Sequence, residues 1–248
     1  MKIVKSVAEL RALPESRSVG FVPTMGALHD GHLSLVRKAR AENERVVVSI
    51  FVNPAQFNDP EDLRRYPRPI EKDLAMLARE NTDVAFLPIH DEIYGDRFRF
   101  EVREKEFTKM LCGATRPGHF EGVLTVVMKL FCLVRPTRAY FGEKDFQQLS
   151  LIRDMAKSFF LGVDVIGVPT VREADGLAMS SRNLLLKSEE REIAPRLYQI
   201  IKTAADAGVA RRELSTLGFR VDYVEDVAGR RFAAAFLGSV RLIDNVEL

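Results

Sequence analysis

Two imidazoles stand three positions apart in VPTMGALHDGHLSL, residues 22–35. His29 and His32 lie between an apolar run ending at Val22-Pro23 and an apolar helical face beginning at Leu33. A strand that turns into a helix there would suit anion chemistry. A helix N-terminus offers unpaired N–H groups and a partial positive charge, and Gly26 and Gly31 would let backbone approach a bulky ligand. Two other roles fit the same residues: one histidine caps the helix while the other packs, or both bind zinc. The zinc reading lacks a third ligand, because His90 and His119 stand in no matching motif. Neighbouring imidazoles resist double protonation, which favours hydrogen bonding over stable double charge. No GxxxxGKS/T run occurs, so the chain is not a P-loop protein.

Three further polar clusters follow apolar runs. NPAQF (53–57) follows RVVVSIFV, GEKDFQQ (142–148) follows RAYF, and VREADGLAMSSRN (171–183) follows VDVIGVP. Ligands of open α/β sheets bind beyond the carboxyl ends of the strands. Four donor-rich clusters at such ends predict a shared pocket.

The elements that must carry these loops alternate in type. SVGFVP (18–23) reads as a strand and about 31–44 as a helix. RVVVSIFV (45–52) is a β-branched run of the kind buried on both faces of a parallel sheet. IEKDLAMLARE (70–80) has apolar residues at helical spacing, DVAFLP (83–88) is a strand, and GVLTVVMKLFCLVR (122–135) is a buried helix. RAYFGE (138–143), DFQQLSLIRDMAKSFF (145–160) and VDVIGVP (163–169) continue the pattern as strand, helix and strand. The class is α/β: a Rossmann-like parallel sheet with helices on both faces. Past Val171 come a polar loop, a helical stretch (188–208) and short antiparallel strands in FRVDYVEDV, RRFAAAFLG and VRLIDN. These predict a Rossmann-like domain over 1–172 and a small α+β C-terminal lid domain over 173–248.

Composition narrows the class further. The chain has 248 residues, 46% hydrophobic and 29% charged, which suffices for a substantial core. A net charge of +2 without a Lys/Arg stripe argues against nucleic acid, and RRYPR (64–68) reads as a solvated cluster. Cys112 and Cys132 are too far apart for a CxxC metal site. The N-terminus has no h-region, and the longest apolar stretch (123–134) is interrupted by Lys129 and too short for a bilayer. The expectation is a cytoplasmic protein with no nucleic-acid or membrane partner.

PTMGALHDGH resembles the HxGH motif of the nucleotidylyltransferase superfamily. Together with SIFVNPAQF, YPR, RPGHFEGVLTVV, FGEKDFQQL, VPTVREADGLAMSSRN and RLIDN, it resembles the pantothenate synthetase (pantoate–β-alanine ligase) family from about Val19 to Asn245. The resemblance implies condensation of pantoate with β-alanine through a pantoyl adenylate, releasing AMP and pyrophosphate, with ATP as substrate, Mg²⁺ and a homodimer. By matching the family pattern, His29 and His32 would contact the phosphates and Lys144 would reach them as a point charge. Gly142 and Asp145 would border the ribose, with Met25, Val171 and Met179 also lining the nucleotide site. Ser180, Ser181 and Arg182 would clamp the β- and γ-phosphates. Gln56 and Gln148 would hold pantoate, Met25 and Phe57 its gem-dimethyl group, and Asn53 would orient the loop or bind the acyl adenylate. Asp73 would hold Mg²⁺.

Taken alone, several of these residues keep a plainer reading. Asp73 and Gln148 could be helix-surface residues, Lys144 a surface lysine beside Asp145, and Met25 ordinary core. Arg172 and Glu173 could pair with one another, while Arg116 and His119 are assigned no role. An enzyme adenylylating a phosphate-bearing acceptor would call for extra Lys/Arg, whereas NPAQF and FQQL offer neutral amides. The span from Asn183 to VDYVE is shorter than the family pattern, which implies a reduced lid.

Overall fold

In the computed structural model, which describes all residues from Met1 to Leu248, the β-branched run becomes a strand, Arg45–Ile50, whose Val46, Val47 and Val48 are at most 2% exposed. A strand so covered needs apolar layers on both sides, and its neighbours supply them. The strands in chain order are β1 (Lys2–Val4), β2 (Val19–Thr24), β3 (Arg45–Ile50), β4 (Val84–Phe86), β5 (Arg138–Gly142), β6 (Asp164–Val168), β7 (Arg220–Val227), β8 (Arg230–Leu237) and β9 (Val240–Glu247). The first six form one parallel sheet in the order β1-β4-β3-β2-β5-β6. The chain leaves β2 toward β3 and β4, then returns to β2's other side with β5. The topological switch point is therefore at β2 and β5.

Successive residues of a strand face opposite ways. On β2, Phe21 meets Phe131 of the helix His119–Val134 edge to face. Its neighbour Val22 packs with Leu35, Val36 and Ala39 of the helix Asp30–Glu42 and Leu77 of Ile70–Arg79. On β5, Phe141 joins Phe131 while Tyr140 joins the Val22 cluster. Helices thus cover both faces, as the alternation predicts.

By internal contacts the chain divides into two units. One holds Met1–Leu28, His32–Glu143 and Gln147–Val168; the other holds His29–Gly31, Lys144–Phe146 and Pro169–Leu248. In the second unit, β7, β8 and β9 form an antiparallel meander. Ala233, Ala235, Leu237, Val240 and Leu242 of its sheet pack with Leu197, Ile200 and Ile201 of the helix Arg196–Thr203 and Ala210 and Leu214 of Ala207–Thr216. The helical stretch 188–208 is two helices and the start of a third: Pro195, which breaks helical hydrogen bonding, parts Ser188–Ile193 from Arg196–Thr203, and Ala207–Thr216 begins after Asp206. No helix is long and apolar enough to cross a membrane.

Candidate active site

The four polar clusters leave the carboxyl ends of β3, β2, β5 and β6, four strands that are consecutive across the sheet. Two groups of candidate residues emerge, one in each unit.

The first group is built of neutral amides. Asn53 caps a 3-10 turn, Pro54–Gln56, and is 1% exposed. Its Oδ1 accepts from the Tyr94 hydroxyl at 2.8 Å and the Ala55 N–H at 3.3 Å. Its Nδ2 donates to the Gly122 carbonyl and to Gln56 Oε1, both at 3.1 Å. A side-chain amide has no further donors or acceptors to offer in good geometry, so the hydrogen bonds of Asn53 are spent within the protein. Gln56 is fixed from several sides. Its Nε2 lies 3.0 Å from Met25 Sδ, and its carbonyl accepts from His119 Nδ1 at 2.9 Å and Arg116 Nη2 at 3.2 Å. Arg116 also donates to His119 Nε2 at 3.0 Å, which leaves the proton on Nδ1. These two residues, given no role by the sequence, support the Gln56 backbone. Gly122 is the close-approach position here: a Cβ would stand 2.4 Å from the Ala55 carbonyl oxygen. Phe57 packs edge to face on Tyr66 of the YPR stretch, with ring centroids 5.7 Å apart. Burial pushes the Tyr94 phenol above its usual range.

Asp73 departs from expectation. It is neither an exposed helix carboxylate nor an open Mg²⁺ ligand, because it is 0% exposed and both oxygens are occupied. Oδ2 accepts the Ala27 N–H and Oδ1 the Leu28 N–H, each at 2.8 Å. Burial raises its pKa, and the two amides and Lys72 partly offset the rise. No group of three or more His, Cys, Asp or Glu side chains is placed to hold a metal ion.

The second group carries the charge. His29 Nδ1 accepts the Gly31 N–H at 3.1 Å, which places the proton of the neutral ring on Nε2. Burial, and then the Lys144 charge, push this imidazole down to about 4, with Asp145, Asp30 and Glu173 opposing. Burial, more than repulsion from a second imidazole, keeps it neutral. The Gly31 amide, in the first turn of the helix, donates to His29. Lys144 Nζ lies 3.6 Å from Asp145, and the Lys144 carbonyl accepts from the Asn245 side chain at 2.9 Å. Asn245 Oδ1 in turn accepts from Arg230. A Cβ built on Gly142, in the first unit at the end of β5, would meet nothing within 4 Å.

VREADGLAMSSRN folds back on itself. Arg172 bridges antiparallel to Ala178, and the Met179 N–H donates to the Val171 carbonyl at 3.0 Å. The Met179 Cβ comes 3.7 Å from the position a Gly31 Cβ would take. Ser180 caps the 3-10 turn Ser181–Leu185, accepting the Arg182 N–H at 3.3 Å. Arg172 and Glu173 do not pair with one another. Arg172 grips Asp244 of the RLIDN stretch at 2.6 and 3.0 Å, while Glu173 pairs with Arg191 and accepts from Asn183. Opposite charges adjacent in sequence found better partners across the unit.

Not every candidate joins a group. His32 is half-buried in the first turn of Asp30–Glu42, and Gln148 is half-buried near the start of Phe146–Ser158. Its neighbour Gln147 is buried and ties down another loop, accepting the Cys112 N–H and donating to the Phe107 and Met110 carbonyls. Sequence reasoning missed Tyr94, Asn245 and the loop brace of Asp73. Only Asn245 left a signal, as the last residue of the quoted RLIDN.

Comparison with known proteins agrees with this architecture. The family model described as pantoate-beta-alanine ligase matches residues 2–247. A pantothenate synthetase of Bdellovibrio bacteriovorus is 56% identical over 249 residues, covering 100% of this chain and 99% of that one. A pantothenate synthetase of Thermotoga petrophila is 46% identical over 279 aligned residues, covering all of both chains, so it carries segments that this chain lacks. The crystal structure of pantothenate synthetase from Thermus thermophilus superposes with a TM-score of 0.93 at 46% identity, covering 100% and 99% of the two chains. That of pantoate-beta-alanine ligase from Francisella tularensis, complexed with beta-gamma ATP and beta-alanine, gives 0.95 at 41% identity, covering 100% and 97%. The chain belongs to the pantoate–beta-alanine ligase family.

Proposed function

We infer that the protein condenses (R)-pantoate with β-alanine to pantothenate at the expense of ATP. The observation that carries this reading is the end-to-end family match over residues 2–247, on a chain whose His29–Lys144 cluster is assembled. In the first step a pantoate carboxylate oxygen attacks the α-phosphorus, and the bond to pyrophosphate breaks. In the second the β-alanine amine attacks the acyl carbon, the bond to AMP breaks, and the amine loses a proton. Neither step needs a protein nucleophile. The protein aligns the reactants and neutralises charge as it develops.

In this reading the neutral His29 donates from Nε2 to a phosphate oxygen, and Lys144 supplies the positive charge. His32, Ser180, Ser181 and Arg182 complete the phosphate contacts, while Gly142, Asp145, Val171 and Met179 line the nucleoside. Gln56 and Gln148 bind pantoate beside Met25 and Phe57. Mg²⁺ arrives on the triphosphate as part of the substrate. Residues 173–248 act as a lid that keeps water from the acyl adenylate, and the protein works as a cytoplasmic homodimer. The test is a half-reaction assay. Pyrophosphate and pantoyl adenylate should form from ATP, Mg²⁺ and pantoate alone, with pantothenate and AMP appearing on addition of β-alanine. Pyrophosphate release that ignores pantoate would overturn the reading.

A further inference from the structure

The loop after β2 is held by an internal anion. Gly26 and Ala27 take left-handed backbone, with φ of 78° and 51°, and Ala27 carries a Cβ that disfavours it. Three consecutive N–H groups of this loop donate to buried side-chain oxygens. Gly26 gives to Thr24 Oγ1 at 3.1 Å, and Ala27 and Leu28 give to the two Asp73 oxygens at 2.8 Å. Thr24 is itself anchored, donating to the Ser49 carbonyl of β3 at 2.8 Å. Successive N–H groups in left-handed backbone form a concave anion site, and here the chain fills that site with its own carboxylate. The next residue is His29.

We propose that Asp73 is a positioning residue for adenylation, fixing the 26–28 backbone and through it the His29 ring. The proposal rests on the reaction given above. Asn in place of Asp73 can accept only one of the two N–H groups and turns a donor toward the other, while keeping size and burial.

Asp73→Asn is compared with wild type by kinetics and by NMR titration of the ring protons, a simple spectrum with four histidines in the chain. The expected result is a fall of ~10²-fold in kcat for pantoyl adenylate formation, the scale of a small misplacement, with the KM for pantoate changed less than about two-fold. The His29 midpoint should move up from about 4. Wild-type kcat, an unmoved His29 midpoint, or a parallel loss of pantoate affinity would overturn the proposal. Thr24→Val removes the neighbouring acceptor for Gly26 together with the hydroxyl's donation to the Ser49 carbonyl, and it serves if Asp73→Asn does not fold; it should move the same two readouts, and unchanged readouts count against the brace. Wild-type protein that forms no adenylate refutes the reaction instead, and the titration still judges the brace.

Discussion

Under the function proposed above, the two groups of candidate residues solve different problems. In the Rossmann-like unit the site is made of neutral amides, each tied into the protein: Asn53 to Tyr94 and Gly122, and Gln56 to Asn53, Met25, Arg116 and His119. In the C-terminal unit, Lys144, Asp145, Glu173 and the neutral His29 lie within electrostatic reach of one another. A hydroxy acid asks for orientation, which fixed amides supply without the desolvation cost of a buried charge. A triphosphate passing through its transition state asks for charge.

That contrast predicts graded losses. Lys144→Ala should be the most severe, lowering kcat for adenylate formation by ~10²-fold or more, as loss of a preorganised charge-stabilising donor does; pre-steady-state pyrophosphate release measures it. Gln56→Ala should raise the KM for pantoate roughly ten-fold and leave ATP binding unchanged, the scale of one lost hydrogen bond. A matching loss of ATP affinity would erase the division between the groups. Asn245→Ala frees the Lys144 carbonyl and should lower kcat only about five-fold, since it acts at one remove through a single neutral hydrogen bond.

A separate effect, on stability rather than turnover, is in pH. His29 has a pKa of about 4 in the folded chain against 6.5 for the free side chain. Between those values the unfolded chain binds the proton first, so stability falls as pH drops through the window and recovers as it rises. Melting temperatures of His29→Asn should fall less steeply than wild type from pH 6.5 to 4. Parallel curves would mean that the imidazole titrates normally.

Much of the fold was legible because its signal is local. The run at Arg45–Ile50 announces a covered strand, and the spacing in Ile70–Arg79 a helix. β1 was not legible, since three residues carry no period and their pairing with β4 lies some eighty residues on. The site divides the same way. HxGH and SSRN could be read in place. The burial of Asp73 depends on a loop 45 residues earlier, and the saturation of Asn53 on partners 41 and 69 residues away. Spacing shows which groups a chain owns. Whether they are already spent is decided by packing.

Gly122 shows how much rests on a missing atom. The helix His119–Val134 lies flush against the turn at Ala55, with no side chain between the two backbones. A single methyl group there would act as a shim, prying the turn from the helix that both braces its Gln56 carbonyl and supplies an oxygen to Asn53. What counts at this position is thickness alone, and even alanine, the mildest replacement elsewhere in a helix, is too thick.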